Sequence, residues 1–363
     1  MKLLGGAEEG TVGQKLFYGV AGIVLVLMVW VFLTAGANPI LRPVVLPSPL
    51  SVLQAFPELF SENNLVKNMG FSIGLNLSGY LEAILITIPI GFFIGLIKYA
   101  RWGFQRQVDA LRYIPLTAVT LLFIVWFGIG TDMKVHFLAF GIIIYMLPVM
   151  IQRIDEVDDV YLKTVHTLGA TDWQVLKSVY FPSVVSRLSD DIRVLTAISW
   201  TYIIVAESIN SNQGGIGTLI YNVGQRQVRS DKIFALLIII MLIGIIQDKI
   251  FVRLDKQFFP FKYQAKESIK SSRIDQKGIV SIVLEYIFLA LGWISLGIYF
   301  LLMLQEFVPF MGDFKPLSYV FGDSVNVMHI IFFLILFFQG WTWYKKRSDQ
   351  LALQAIPTKT TGS

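Results

Sequence analysis

Gly70-Phe71-Ser72-Ile73-Gly74 has the spacing of a nucleophile elbow, in which a serine attacks an ester or amide carbonyl. That chemistry needs a strand, a sharp turn and a helix to push the hydroxyl forward, and a base to take its proton. Here the five residues open a long apolar run. Gly322-Asp323-Ser324 is a similar fragment, and its Asp and Ser suit the start of a helix. His136, His166 and His329 lack the spacing of metal ligands, and the absence of cysteine excludes thiolate sites and disulfides. No Gly-Lys dipeptide occurs, so the chain has no GxxxxGK[ST] phosphate loop. These residues predict no catalytic, cofactor-binding or metal-binding group, and a chain that is not an enzyme.

Two carboxylates remain in apolar surroundings. Glu82 interrupts the second apolar run. An ionisable side chain at such depth costs ~2.5–3.5 kcal/mol on insertion scales; it marks a pathway or bonds to a neighbouring helix. Glu207 ends the fifth run, just before Gly214-Gly215-Ile216-Gly217. It is expected to line an outer mouth or to pair with Arg226 or Arg229. The three glycines predict a tight turn. Glu82, Glu207, Gly214, Gly215 and Gly217 are therefore the candidate pathway and gate residues.

The elements that must position these groups are membrane helices. Hydrophobic residues make up 55% of the 363 and charged residues only 15%, well below the ~25% of soluble domains. Apolar runs of about 20 residues mark spans. Eight are predicted: 16–33, 71–97, 113–129, 136–151, 192–209, 233–252, 279–304 and 325–344. The run 16–33, followed by Ala35-Gly36-Ala37, is too long for a signal-peptide core and reads as a retained span. With the N-terminus inside, cytoplasmic segments carry 21 Lys and Arg against 7 in the outer ones, which sets both termini in the cytoplasm. Pro89, Pro115 and Pro148 bend or end helices, and Gly91/Gly95 and Gly70/Gly74/Ser78 form small-residue steps for close packing.

The segment 155–182 is polar and lies between two spans on the cytoplasmic side. Ile154, Val157, Tyr161, Val165 and Leu168 recur at helical spacing, predicting one apolar helix face. Gly169 ends that helix; Thr171 and Gln174 have the form of a capping box for a second short helix, which stops at Pro182. The product is a helical elbow.

The spacing of Gly169, Val179 and Pro182 resembles the EAA loop of ABC importer permeases, where a glycine precedes a hydrophobic position by ten residues and a proline by thirteen. Further landmarks resemble the nitrate/sulfonate/taurine permease family. They run in order from Leu46-Pro47-Ser48-Pro49 through Gly79-Tyr80, Ile88-Pro89-Ile90-Gly91, Trp126-Phe127-Gly128-Ile129-Gly130, Leu168-Gly169-Ala170-Thr171, Ala206-Glu207 and Gly214-Gly215-Ile216-Gly217 to Asp248. The Glu-Ala-Ala that names the loop is Lys163-Thr164-Val165 here, and Leu75 and Glu82 also depart from the pattern.

The resemblance implies a type I ABC importer transmembrane domain, all-α, with about six core spans and two extra C-terminal ones. It divides the chain into a cytoplasmic N-terminus (1–15), a permease core (16–261), a cytoplasmic linker (262–278), a two-span hairpin (279–344) and a cytoplasmic tail (345–363). The elbow would be the coupling helix, with Lys163, His166, Gly169, Ala170, Thr171, Asp172, Trp173 and Pro182 as the residues that meet the motor. ATP and Mg would be bound by a separate ATPase dimer. The expected partners are those ATPases, a second permease copy, an extracellular or periplasmic binding protein and the lipid bilayer, with no nucleic acid. The expected location is the bacterial cytoplasmic membrane. The family implies import by alternating access of a small anion such as nitrate, a sulfonate, taurine or bicarbonate, or of a vitamin precursor. An ion-coupled secondary transporter using Glu82, or a structural membrane protein, is the alternative.

Overall fold

The computed structural model describes residues 12–36, 38–209, 213–263, 279–310 and 312–354. Most of the predicted N-terminal segment, the linker from 264 and the tail from 355 lie outside the described residues. Among those described there are helices and turns and no strand, as a bilayer requires of a chain whose backbone bonds must close within each segment. The chain divides into two units, Met1–Leu65 with Leu219–Met241, and Val66–Thr218 with Leu242–Ser363.

In the first unit, α1 (Val12–Thr34) is apolar and largely exposed, a surface suited to hydrocarbon. The Trp30 indole N–H donates to the Pro47 carbonyl at 2.8 Å. Helix α2 (Pro49–Ser61) starts at an N-cap: the Ser48 hydroxyl accepts from the Ser51 N–H, and Pro49 occupies the first turn, where no donor is needed. Val52, Ala55 and Leu59 form its buried face. Lys232 reaches Glu58 at 3.1 Å and Glu62 at 3.4 Å, while Arg229 holds Glu58 at 3.0 Å and Asp231 at 2.7 Å.

The second unit is organised around α6 (Thr131–Asp155), buried on most of its surface. It packs against α3 (Leu65–Leu96) and α9 (Phe181–Ser208). The glycines of α3 explain the closeness. A Cβ at Gly91 would lie 2.4 Å from the Met150 sulfur, and one at Gly95 2.5 Å from Ile154. Helices α4 (Lys98–Leu111) and α5 (Leu116–Phe127) meet at 106°. The expected span over 113–129 is thus a helix of 12 residues, about 18 Å long, too short alone for a core of ~30 Å.

Six helices among the described residues are long and apolar enough to cross a membrane, or seven if the bent pair counts as one. The expected fifth span is helical, in α9, but stands outside that set because it carries Asp191, Arg193 and Glu207. Each of these charges has a partner. Arg193 pairs with Asp248 of α11 (Ser230–Phe258) at 2.8 Å. Lower on the same face, the buried Asp255 accepts from Ser189, Lys262 and Tyr263.

The C-terminal hairpin forms as α12 (Ile279–Phe307) and α14 (Val325–Gln354), joined through the short α13 (Pro316–Phe321). Glu306 accepts from the Ser318 N–H at 2.5 Å and lies 3.5 Å from His329, whose other ring nitrogen is 2.9 Å from the Tyr299 hydroxyl. The tip packs on the core. Gly70 faces Val320, Gly74 faces Ser324 and Phe321, and Thr131 donates to Asp323 at 2.6 Å. The small-residue step of α3 therefore has two uses, Gly91/Gly95 toward α6 and Gly70/Gly74 toward the hairpin.

A Cβ at Gly70 would lie 2.1 Å from the Val320 side chain. Gly70→Ala is therefore expected to destabilise the purified protein by ~1–3 kcal/mol in a thermal unfolding series. Gly244→Ala, where nothing lies within 4 Å, should be neutral or slightly stabilising.

Candidate functional site

Two constructions lie at opposite ends of α6. At its C-terminal end is the elbow. The predicted continuous helix from Ile154 is broken. Helix α6 stops at Asp155, and Asp158 then caps α7 (Asp159–Thr167), accepting from the Val160 N–H at 2.9 Å. The predicted apolar face is divided accordingly. Ile154 and Val157 are buried, and Leu162 and Val165 are half-buried, but Tyr161 is exposed and Leu168 is 81% exposed. Val160 and Trp173 join them on the outside.

Gly169 has φ +78° and open space around it, so its glycine identity serves the backbone rather than packing. The Ala170 N–H closes back on the Val165 carbonyl at 3.1 Å. The capping box forms as the sequence predicts. The Gln174 side-chain Oε1 accepts from the Thr171 N–H at 2.8 Å, and the Thr171 hydroxyl accepts from the Gln174 backbone N–H. Lys163 is exposed and lies 3.8 Å from Asp159, one turn back. His166, Asp172 and Trp173 are also exposed.

Pro182 does not end the second helix, contrary to expectation. Helix α8 (Asp172–Val175) passes through a wide turn, Leu176–Tyr180, whose backbone bonds span an extra residue, and continues into α9 with Pro182 in its first turn. The widened turn displaces the bond that proline could not donate. The root of the elbow is fixed by a network that the local sequence does not reveal. Arg153 makes two 2.8 Å bonds to Asp191 and one of 2.6 Å to Glu156. Arg187 donates to the Glu156 carbonyl at 2.7 Å, and Arg101 pairs with Asp155. The hydrogen bond from Arg153 holds the Glu156 carboxyl below its ordinary range.

At the other end of α6 a carboxylate is enclosed. Glu207 is 0% exposed. It neither lines a mouth nor waits for a surface arginine. Its Oε1 accepts from the Ser72 hydroxyl at 2.6 Å and its Oε2 from the Gly217 N–H at 2.7 Å. The Ile216 N–H donates to the Ser72 oxygen at 2.8 Å, and the Gly215 N–H to Asn68 at 2.7 Å. The Thr218 hydroxyl closes on the Glu207 backbone carbonyl at 2.9 Å. Gly215 (φ +112°) leaves no room for a side chain, since a Cβ would lie 2.3 Å from the Glu207 carboxyl carbon. Gly214 is also left-handed, at φ +93°, and a Cβ on Gly217 would meet the Ile204 carbonyl at 2.7 Å.

Ser72 thus belongs to a lock near the start of α3 and not to a nucleophile elbow. Arg229, the expected alternative partner of Glu207, is held by Glu58 and Asp231. Lys134 is 0% exposed, its ammonium makes no hydrogen bond among the described residues, and it sits 5.4 Å from the centre of the Phe71 ring. Glu82 is half-buried, with its carboxylate 2.8 Å from His136 Nδ1 on α6. Among the described residues no group of three or more metal-ligating side chains occurs.

Residues 87–259 match the family described as the binding-protein-dependent transport system inner membrane component. A Methanocaldococcus jannaschii protein named as an ABC transporter permease is 28% identical over 249 residues, covering 67% of this chain and 91% of the relative. A Bacillus subtilis protein named as an aliphatic sulfonates transport permease is 27% identical over 246 residues, 67% of this chain and 87% of the relative. The taurine transport system permease of Escherichia coli is 25% identical over 206 residues, 55% and 74% of the two chains. The matched residues contain the elbow and the turn around Glu207, and end before the hairpin.

Ser72→Ala leaves the Glu207 oxygen and the Ile216 N–H without a partner in a sealed site. A loss of ~1–3 kcal/mol is expected in denaturant unfolding of the detergent-purified protein. Ser78→Ala, which removes a hydroxyl bonded only to a carbonyl one turn back in its own helix, should cost less.

Proposed function

From the match of residues 87–259 to the inner-membrane components of binding-protein-dependent transport systems, we propose that this chain is such a component and carries a small organic anion inward under the drive of a separate ATPase. The observation that carries this reading is the elbow. A short helix turned out of the bundle leaves Val160, Tyr161, Leu168 and Trp173 exposed, although no bilayer is expected to cover them there. An exposed apolar cluster beside charged groups suits docking on another protein. The two hydrogen bonds from Arg153 to Asp191 tie the elbow's root to α9, so force applied at the elbow reaches the spans. The lack of a phosphate loop in the sequence agrees with hydrolysis in a partner.

The names of the relatives that act on sulfonates and taurine support a sulfonate-like cargo. The remaining parts of the assembly follow as parts of the same proposal. Two ATPase subunits bind ATP and Mg and meet Lys163, His166, Gly169, Ala170, Thr171, Asp172, Trp173 and Pro182. A second permease copy completes the conduit, and a binding protein delivers cargo to the outer side. The elbow and both termini face the cytoplasm, in the inner membrane of a bacterium. Glu207 with Gly214, Gly215 and Gly217 braces the outer ends of α3 and α9, and Glu82 with His136 ties α3 to α6.

Leu168→Asp and Gly169→Val test the lever. In proteoliposomes holding the ATPase and the binding protein, each is expected to reduce ATP-driven uptake at least tenfold and to abolish cargo-stimulated hydrolysis. The unfolding temperature of Leu168→Asp should stay near wild type, because the side chain is exposed. Uptake at full rate in both variants, or uptake without nucleotide, would overturn the proposal.

A further inference from the structure

The Glu82 carboxylate and the His136 ring meet at 2.8 Å between two long apolar helices, and neither side chain is covered. They remain 28% and 37% exposed. We propose that the face of α3, α5 and α6 around this pair is the wall of a water-filled passage through the membrane, with the pair as its polar lining at mid-depth.

Depth comes first. Helix α3 has 32 residues and is therefore about 48 Å long. Wherever the ~30 Å of hydrocarbon falls along it, Glu82, near its middle, lies inside that layer. A side chain exposed there touches lipid tails, another protein or water. Lipid tails accept and donate nothing, and ionisable groups at such depth face a bundle interior or an aqueous cavity. The exposed stretch of α1 from Val20 to Phe32 holds no ionisable group, as a surface against hydrocarbon requires.

The hydrogen bonding points the same way. The contact between the two side chains uses one carboxylate oxygen and Nδ1. The second oxygen and Nε2 make no hydrogen bond among the described residues. Water can serve both, as donor to the one and as donor or acceptor to the other. The pair is also not isolated. Asp132, one turn before His136 on the same side of α6, is exposed. Asp132, His136 and Glu82 thus form a polar track from the first turn of α6 to the middle of α3. Phe127, at the end of α5, lies against His136 with ring centres 4.5 Å apart, and Ile86 follows Glu82 by one turn; both are exposed. The passage is the one that the proposed transport needs, and what moves through it rests on that reading; the wetness of its wall does not.

The sequence contains no cysteine, so single cysteines report without background. A thiol reacts with a charged methanethiosulfonate as the thiolate, which forms in water and not in hydrocarbon. Ile86→Cys and Phe127→Cys are compared with Leu291→Cys, an exposed position midway along α12. The full chain is reconstituted in liposomes, label is counted by intact mass, and labelling after unfolding sets the maximum. Ile86→Cys and Phe127→Cys are expected to react at least tenfold faster than Leu291→Cys. Should Phe127→Cys fold poorly, because its ring packs on Phe123, Ile86→Cys decides alone. Labelling of Ile86→Cys no faster than that of Leu291→Cys would overturn the proposal, whether lipid or a second copy covers the face. No ATPase or nucleotide is present, so a dry face leaves the motor assignment standing, and a failure of ATP-driven uptake leaves a wet face standing.

Discussion

A carboxylate closed off from water must be supplied with donors by the protein around it, and here a whole turn of chain is shaped around one. Glu207 receives the Ser72 hydroxyl and the Gly217 N–H, while Ser72 in turn accepts from Ile216. Burial of such a group is tolerable only when each oxygen is met. The demand explains the local sequence. Glycines are needed at 215 and 217 because the carboxylate and the α9 backbone occupy the space that side chains would take. It also explains why α3 carries a buried asparagine and serine near its start, since Asn68 and Ser72 are the groups that receive the turn's backbone donors. The ends of α3 and α9 are thereby joined by polar bonds whose strength is raised by the low dielectric around them.

The opposite end of α6 solves a different problem. There the chain leaves the bundle, and the elbow must be stiff at its root though exposed at its tip. Arg153 gives the stiffness through a planar fork that meets Asp191 with two bonds and Glu156 with a third. Beyond that root, the surface of α7 and its flanks is divided between the buried or half-buried Val157, Leu162 and Val165 and the exposed Tyr161 and Leu168. One end of α6 is thus locked inside the protein, and the other presents a surface to something else.

Local chemistry was legible in the sequence, and partners distant in the chain were not. The Thr171–Gln174 box and the turn at Gly169 depend on residues within one or two turns, and they form as their types require. The apolar runs disclosed the helices, including the hairpin, because hydrocarbon demands length and composition. Depth was not legible. The run that ends as α5 has the composition of a span, but Pro115 and the bend before it leave 12 residues of helix. Pro182 misled because a proline that stops one helix can also begin the next. Glu207 meets Ser72 across 135 positions, and no periodicity points from one to the other. Lys134 looked like a loop cation because a single basic residue near a span end is ordinarily exposed.

The hairpin lies outside the family match, yet it fills the groove left by Gly70 and Gly74. A helix lined with glycine on one side has bare backbone there, and a chain cut before α12 would leave that strip uncovered. The hairpin is therefore not detachable in the way its position late in the chain suggests. The limit of the family match near residue 259 is therefore no limit of packing, since the start of α3 closes against side chains well beyond it.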